Sequence, residues 1–393
     1  MTAFRDRLSK TLKRPIRLAV DPFWETERVE SGLAALDHAL GLGFGRGRAA
    51  ELFGNWSSGK TMVLYITLIE NMKRGGISIL CEAEGAFDKQ FFIALGGDPN
   101  ALIVENIDTV EELFDFIEKI CKMSAPHEKI VIGWDGIAAT STKHLAEVGM
   151  EKADMSKPNA MNRGCQLIRA HLKEKNICLI TTNQVREKIG SNDSATHTPG
   201  GNAYPFLCSQ RVELRFDGGS KGSLIHSRDG LRQIGRWVRG VVVKNKLGPP
   251  FAMFKLPIYV QAGEWHPEFD YATSLGIDKI EALLYHYTSG GYKLPDGTYV
   301  VQKNSSWLTL NPQIGSWPAF HAKQWPEVLA AYPILWRLVY DRPTDAVQAP
   351  LADTVNIAED GYTGGGSDNE TVDAPAVPEH ESDPSGSSEV PSS

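Results

Sequence analysis

The sequence predicts an α/β fold, with a mostly parallel central sheet and crossover helices, then a small C-terminal α+β domain and a disordered acidic tail. Three observations predict it. From about residue 48 to 184, apolar strands alternate with helical patterns, which argues for parallel strands joined by helices. From about Glu264 to Tyr340 the pattern changes to short helical segments around an aromatic hairpin signal. Beyond Asp341 the chain is rich in Pro, Gly, Ser and acid, with one aromatic, Tyr362, and cannot bury enough apolar surface to order itself. The expected boundaries are an N-terminal basic arm over 1–30, a core over 31–263, the small domain over 264–340 and the tail over 341–393.

In chain order, Phe4, Leu8 and Leu12 lie among Arg5, Arg7, Lys10, Lys13 and Arg14, a short basic amphipathic segment. It reads as a solvated helix or as an arm that docks on a neighbouring subunit. The strands are "AAELF", "ISILCEAE", "ALIVEN", "KIVIGWD" and "ICLITTNQ", with helices expected at Lys60–Arg74, Lys89–Leu95, Val110–Met123 and Ala160–Lys175. "SQRVELRF", "RWVRGVVVKNK" and "FAMFKLPIYV" follow without helices between them and read as antiparallel strands on one sheet edge. In "GGYKLPDGTYVVQ" a Pro-Asp-Gly turn separates two aromatic strands, so a hairpin is expected there. No internal repeat is visible.

The 393 residues allow more than one domain, and no apolar run is long enough for a membrane helix. The basic N-terminus lacks the apolar stretch of a signal peptide. Cys81, Cys121, Cys165, Cys178 and Cys208 are scattered without a C-x-x-C pair, as expected of reduced core thiols in a cytoplasmic protein. The net charge of −7 is uneven: residues 341–393 carry twelve acids and one base, which leaves 40 bases against 36 acids in the rest. A mildly basic body with an acidic tail suits nucleic acid. The tail is either a solubilising segment or a DNA mimic that covers a basic surface.

The motif that carries most chemistry is "GNWSSGKT". Gly54, Gly59, Lys60 and Thr61 fit G-x-x-x-x-G-K-[ST] between a strand and a helix. The backbone N–H groups of Gly54, Asn55, Trp56, Ser57, Ser58, Gly59, Lys60, Thr61 and Met62 would form an anion nest at a helix N-terminus. The lysine suits the outer phosphates and the threonine hydroxyl a Mg2+ ligand, so the expected ligands are a nucleoside triphosphate and Mg2+. Asp135 ends the strand "KIVIGWD" and suits the Mg2+ shell. Glu82 and Glu84 end "SILCEAE", and Glu84 is the candidate for orienting or deprotonating the attacking water. Asn183 and Gln184 end "ICLITTNQ", where an amide can sense the γ-phosphate. The following stretch, Val185–Gly200, has about sixteen residues and no apolar periodicity, a length that is usually functional or disordered. Its Arg186 and Lys188 suit phosphate contacts.

Together, "GNWSSGKT", "CEAEGAFD", "VIGWD", "TTNQVREKIG", "TPGGNA" and "VVVKNKLGPPF" resemble the RecA-type DNA recombinases, most closely the bacterial RecA branch and its phage counterparts. "VESGLAALDHALGLGFGRGR" resembles that family's entry into its core. The resemblance covers roughly Val29 to Asp270 and continues more weakly beyond it. It implies a RecA-like P-loop ATPase core in which Glu84 is the catalytic glutamate, Gln184 the γ-phosphate sensor and Asp135 the Mg2+-associated aspartate. Asp88 and Phe91 fall where the family contacts and stacks on adenine, although Phe91 also reads as a core aromatic. The segment between Thr140 and Asn162 falls on a first DNA loop, with Lys143, Lys152 and Lys157 as charges and with Met161, Asn162 and Arg163 at its end. Val185–Gly201 falls on a second, closed by Gly200, Gly201 and Asn202. Lys244 and Lys246 fall on a pair that reaches the ATP of the adjacent subunit. Trp134, Gly136 and Pro205 depart from the family's usual small aliphatic, serine and lysine.

The resemblance implies an ATP-dependent recombinase that forms a helical filament on single-stranded DNA, exchanges strands with homologous double-stranded DNA and hydrolyses ATP in response to DNA. Loader or single-strand-binding proteins would be further partners, and no membrane is involved. The alternatives are a hexameric helicase with the same core and a weakly hydrolysing DNA-binding filament scaffold.

Overall fold

In the computed structural model, the described residues are 2–148, 156–187, 196–218, 223–264, 266–269 and 272–340. The acidic tail therefore lies outside them. Helix α1 (Thr2–Leu12) leads through a linker with a short 3-10 turn at Pro22–Trp24 to β1 (Arg28–Val29), α2 (Ala34–Leu40) and β2 (Phe44–Gly45). The alternation then follows the sequence pattern: β3 (Ala49–Gly54), α3 (Lys60–Lys73), β4 (Ile77–Glu82), α4 (Lys89–Ala94), β5 (Leu102–Asn106), α5 (Val110–Met123) and β6 (Ile130–Asp135). Helices α6 (Lys143–Val148) and α7 (Ser156–Lys175) precede β7 (Cys178–Gln184). The short strands β8 (Arg186–Glu187) and β9 (Thr196–His197) pair antiparallel, and α8 (Ala203–Leu207) follows. The remaining core strands are β10 (Gln210–Phe216), β11 (Leu224–His226), β12 (Gln233–Asn245), β13 (Met253–Tyr259) and β14 (Gly276–Ile277).

The central sheet has the order β14-β13-β12-β10-β3-β7-β6-β4-β5, with β11 on β12. Six neighbouring strands, from β10 to β5, run parallel. This corrects one expectation, because "SQRVELRF" (β10) pairs parallel with β3 and only β11 to β14 add antiparallel strands. The chain crosses back through α8, which is too short to leave a helical period in the sequence. A second correction concerns α7. It begins at Ser156, four residues before the expected start at Ala160, because Pro158 falls in the first turn, where a missing N–H costs nothing.

Two apolar layers hold the sheet. One face packs Leu36, Leu40, Val63, Leu64, Leu68, Phe92, Leu256 and Ile258 with α2, α3 and α4. The other packs Ile132, Trp134, Phe114, Ile117, Ile168 and Tyr204 with α5, α7 and α8. The inner parallel strands β3, β4, β6 and β7 are buried on both faces, which is why their sequences read as continuous apolar runs, whereas the edge strand β5 is largely exposed. All five cysteines are buried and unpaired. No described helix is long and apolar enough to cross a membrane.

Residues from Phe269 to Val339 form a separate apolar cluster around Leu283, Tyr287, Val301, Phe320 and Trp325. It contains α9 (Lys279–Thr288), β15 (Val301–Asn304), β16 (Trp307–Leu310) and α10 (Trp325–Ala331). The Pro-Asp-Gly turn forms, but its flanks make only one antiparallel bridge, Lys293 to Tyr299. The two-stranded ladder is β15 with β16, turning at Ser305 instead.

Tyr340 pins this cluster to the core: its hydroxyl donates to Asp37 Oδ2 at 2.6 Å, and Ser31 N–H donates to Oδ1 at 2.8 Å. Burial raises the Asp37 carboxyl to about 7, against the partial opposing effect of these hydrogen bonds. An acid raised in the folded state holds its proton more tightly there than in the unfolded chain. Its ionisation therefore removes stability as pH rises from about 4 to about 7, and the loss levels off above that. The difference in thermal midpoint between wild type and Asp37→Asn should shift in favour of the variant across that window. A difference independent of pH would show that Asp37 does not titrate there.

Candidate functional site

The carboxyl ends of β3, β7, β6 and β4 lie side by side: Gly54 pairs with Gln184, Trp134 with Thr181, and Glu82 with Asp135. Ligands bind at this edge in open parallel sheets. Gly54 has φ +153°, and a Cβ there would sit 2.0 Å from the Leu214 carbonyl oxygen, so only glycine fits. At Gly59, φ is +83° and a Cβ would strike Ile258 at 2.4 Å. Between them Asn55, Trp56 and Ser57 project into solvent, while Ser58 is buried and donates to the Asn55 carbonyl at 2.7 Å. Thr61 and Met62 begin α3, and Met62 packs on the core.

Lys60 folds back over the loop, its Nζ donating to the Asn55 carbonyl at 2.7 Å. Burial lowers its pKa, while Asp135 and Glu84 oppose that shift. Asp135 is 4% exposed and accepts a hydrogen bond from the Thr182 hydroxyl. Burial raises its carboxyl, and hydrogen bonds from Thr182 and Thr61 oppose this. Glu84 is open to solvent on one side. Partial burial raises its carboxyl first and the charge of Asp135 second, with Lys60 opposing. The lysine, the two carboxylates and Thr61 thus feel one another across one small space.

Several partners in this arrangement left no signal in the sequence. The Glu82 carboxylate accepts the N–H groups of Glu84, Gly85 and Ala86 at 3.0, 2.8 and 3.1 Å, and so holds the turn that carries Glu84. Glu51, fully buried in β3, accepts from Asn183 Nδ2 at 2.9 Å and from Arg211 Nε at 2.6 Å. Asn183 also donates to the Pro199 carbonyl at 3.1 Å and accepts the Gln184 N–H at 3.0 Å. Gln184 is exposed at the strand tip, beside Gly54. A buried glutamate inside "AAELF" reads as a strand residue until its partners, more than a hundred residues away, are placed.

Asp88 caps α4, accepting from Gln90 and Phe91 N–H at 2.7 and 3.2 Å. Phe91 is half-buried against Tyr65, with ring centroids 6.2 Å apart. Both alternatives for Phe91 therefore stay compatible with its position. Gly136 has no room for a side chain: a Cβ would lie 2.8 Å from Thr182 Oγ1 and 2.9 Å from Glu84 Oε1.

The DNA-facing candidates divide. Beyond 140–142, the described parts of 140–162 are helical, as α6 and the start of α7, with Arg163 and Asn162 exposed on α7. Lys157 turns inward, donating to the Ile137 carbonyl at 2.6 Å, whereas Lys143 is exposed. Lys152 and Lys188 lie outside the described residues. Arg186 is placed only as a backbone position in β8, opposite His197. Gly200 and Gly201 sit against Ile137, Met161 and Pro158, so the bases of the two segments meet; Asn202 is exposed. Lys246 is exposed, but Lys244 donates to the Pro205 carbonyl at 2.6 Å, tying β12 to α8. Burial and the neighbouring Lys246 lower its pKa.

Among the described residues, the one group with metal-ligand geometry away from this edge is His266, Asp278 and Glu281. His266 Nδ1 accepts the N–H groups of Glu268 and Phe269 at 3.1 and 3.0 Å, so the neutral ring carries its proton on Nε2, toward Glu281 Oε2 at 3.1 Å. A metal there would need Nε2 deprotonated while Nδ1 faces two donors. The Tyr259 hydroxyl at the end of β13 lies 2.7 Å from His266 Nε2 and donates to Glu281 Oε2 at 2.7 Å, so the arrangement is a hydrogen-bonded brace between the sheet and α9.

A family model described as the RecA N-terminal domain matches residues 15–264. Among curated relatives, Protein RecA of Borrelia duttonii is 37% identical over 242 residues, which cover 60% of this chain and 64% of that protein. Protein RecA of Aquifex aeolicus is 33% identical over 306 residues, covering 75% of this chain and 85% of the relative. Protein RecA of Brucella anthropi is 32% identical over 316 residues, covering 78% of each.

Proposed function

Because this chain belongs to the RecA family, we propose that it is an ATP-dependent recombinase that assembles on single-stranded DNA and exchanges strands with a homologous duplex. The observation that carries the proposal is the convergence of Lys60, Thr61, Glu84 and Asp135 at the edge where both candidate DNA segments are rooted.

The residues present suit ATP and Mg2+. Glycines that nothing larger could replace shape the cradle, and a buried lysine has a loop carbonyl as its hydrogen-bond partner. The hydroxyl of Thr61 and the carboxylate of Asp135 form an all-oxygen set of the kind hard cations take. Mg2+, when bound, would neutralise charge on the outer phosphates. Lys60 exchanges the Asn55 carbonyl for those phosphates. Glu84, with a carboxyl poised upward by burial and by Asp135, orients the attacking water and takes its proton. Gln184 meets the γ-phosphate, and the Asn183–Glu51–Arg211 bonds anchor the strand end from which it projects. Asp88 and Phe91 border the base. Arg163, Arg186 and Lys188 hold the DNA backbone, with Gly200, Gly201 and Asn202 closing the second segment. A filament multiplies modest contacts per subunit, so a mildly basic body is enough.

In the trans arrangement, Lys244 would leave the Pro205 carbonyl and, with Lys246, reach the ATP of the next subunit. Changing both to alanine should spare nucleotide binding by the isolated subunit and abolish DNA-stimulated hydrolysis. Mixing that variant with Lys60→Ala should restore part of the activity at junctions that pair one intact phosphate loop with one intact lysine pair. Wild-type stimulation in the double variant would remove the trans role.

The general test is ATP hydrolysis with and without single-stranded DNA, paired with electron microscopy of the product. Stimulated hydrolysis with open helical filaments supports the recombinase. Closed rings would support a hexameric helicase, and filaments without hydrolysis a scaffold.

A further inference from the structure

Trp134 stands immediately before Asp135 and is completely buried. Its indole N–H donates to Thr140 Oγ1 at 2.9 Å, and that hydroxyl donates in turn to the Gly136 carbonyl at 3.0 Å. Thr140 opens the first candidate DNA segment. The indole also meets the edge of Tyr204, with ring centroids 5.9 Å apart and planes at 86°. Tyr204 is completely buried too, two residues after Asn202 and one before Pro205, whose carbonyl holds Lys244. A third ring, Phe114, lies 6.2 Å from the indole at 76°. Gly164 makes room for it: a Cβ at that position of α7 would lie 2.0 Å from the Phe114 ring, so the helix carries an interior glycine beside Arg163 despite its cost to helix stability.

One side chain thus touches Thr140 at the start of the first segment, Tyr204 just beyond the end of the second and, through Phe114, the helix carrying Arg163. Its own backbone leads directly into the phosphate site. Close-packed aromatic contacts of this kind do not deform continuously, so a shift of the strand tip must move its neighbours. We propose that Trp134 is a positioning residue that couples the phosphate site to both DNA-facing segments. The proposal rests on the recombinase reading and adds a physical link, particular to this chain, through which DNA binding strengthens hydrolysis. A small aliphatic residue at 134 would offer neither the N–H nor the edge contacts.

The test uses the full chain and two conservative variants. Trp134→Phe keeps an apolar ring and loses the N–H, whereas Thr140→Val keeps the shape and loses both the acceptor for Trp134 and the donor to the Gly136 carbonyl. The readout is the ratio of the ATP hydrolysis rate with saturating single-stranded DNA to the rate without it, measured alongside the thermal midpoint. The ratio should fall by about tenfold in each variant, within the ordinary range of coupling between sites. The double variant should fall no further than the worse single one, because both remove the same bond. If Trp134→Phe fails to fold, Thr140→Val carries the test alone. A wild-type ratio in the variants, or both rates falling in parallel with the thermal midpoint, would reduce Trp134 to a packing residue. If the wild type itself shows no DNA stimulation, the recombinase reading fails and this proposal falls with it.

Discussion

Lys60→Ala is expected to lower ATP hydrolysis by about a hundredfold or more, the scale of losing one preorganised electrostatic stabiliser. The expectation follows from the lysine's surroundings. Its amine is buried, its charge is favoured by Asp135 and Glu84, and the hydrogen bond it makes within the chain is to the Asn55 carbonyl of the same loop. A charge held this way is ready for transfer to an anion. The variant should fold, because no described ion pair depends on Lys60, but the repulsion between Asp135 and Glu84 should grow without it. Steady-state hydrolysis with single-stranded DNA checks the result. A wild-type rate would show that the loop between Gly54 and Thr61 does not serve phosphate transfer.

The second large effect is expected at Glu84. Glu84→Gln keeps the shape and hydrogen-bonding capacity but removes the base, so turnover should fall by about a hundredfold to ten-thousandfold, the range of general acid–base contributions. Nucleotide affinity should be retained or improved, because a negative charge beside the phosphates is removed. Filaments on DNA should then outlive those of the wild type. The N–H groups of Glu84, Gly85 and Ala86 bond to Glu82 and not to the Glu84 side chain, so the turn should survive the change. Loss of nucleotide binding with rapid filament collapse would assign Glu84 a structural role.

How much of this was legible in the sequence depended on whether the signal was local. β3, α3 and the loop between them were readable because the phosphate motif dictates its own strand and helix within about a dozen residues. The same holds for β4, β6 and β7, whose apolar runs end in Glu82, Asp135 and Gln184. The direction of β10 was not readable. A strand buried on both faces looks the same whether it runs parallel or antiparallel, and α8, the helix in the connection from β7 to β10, is five residues long. The early start of α7 was hidden by Pro158, which ends helices in their interior but not in their first turn. Glu51 was invisible as a site residue, and the bracing role of Glu82 was hidden, because both depend on partners: Asn183 and Arg211 for the first, backbone N–H groups for the second. Trp134 stood out as unusual beside Asp135, yet only the packed positions of Thr140, Tyr204 and Phe114 give it a role. The inward turns of Lys157 and Lys244 were equally hidden, since sequence registers a charge but not the carbonyl it finds.

Strand exchange between a single-stranded DNA and a labelled duplex is the most direct test of the central claim. With ATP and Mg2+, this protein should transfer the complementary strand from a homologous duplex and leave a heterologous duplex intact, and Lys60→Ala should abolish the transfer. Separation of a heterologous duplex would contradict the recombinase reading in favour of a helicase, and the absence of any exchanged product with the homologous duplex would contradict it outright.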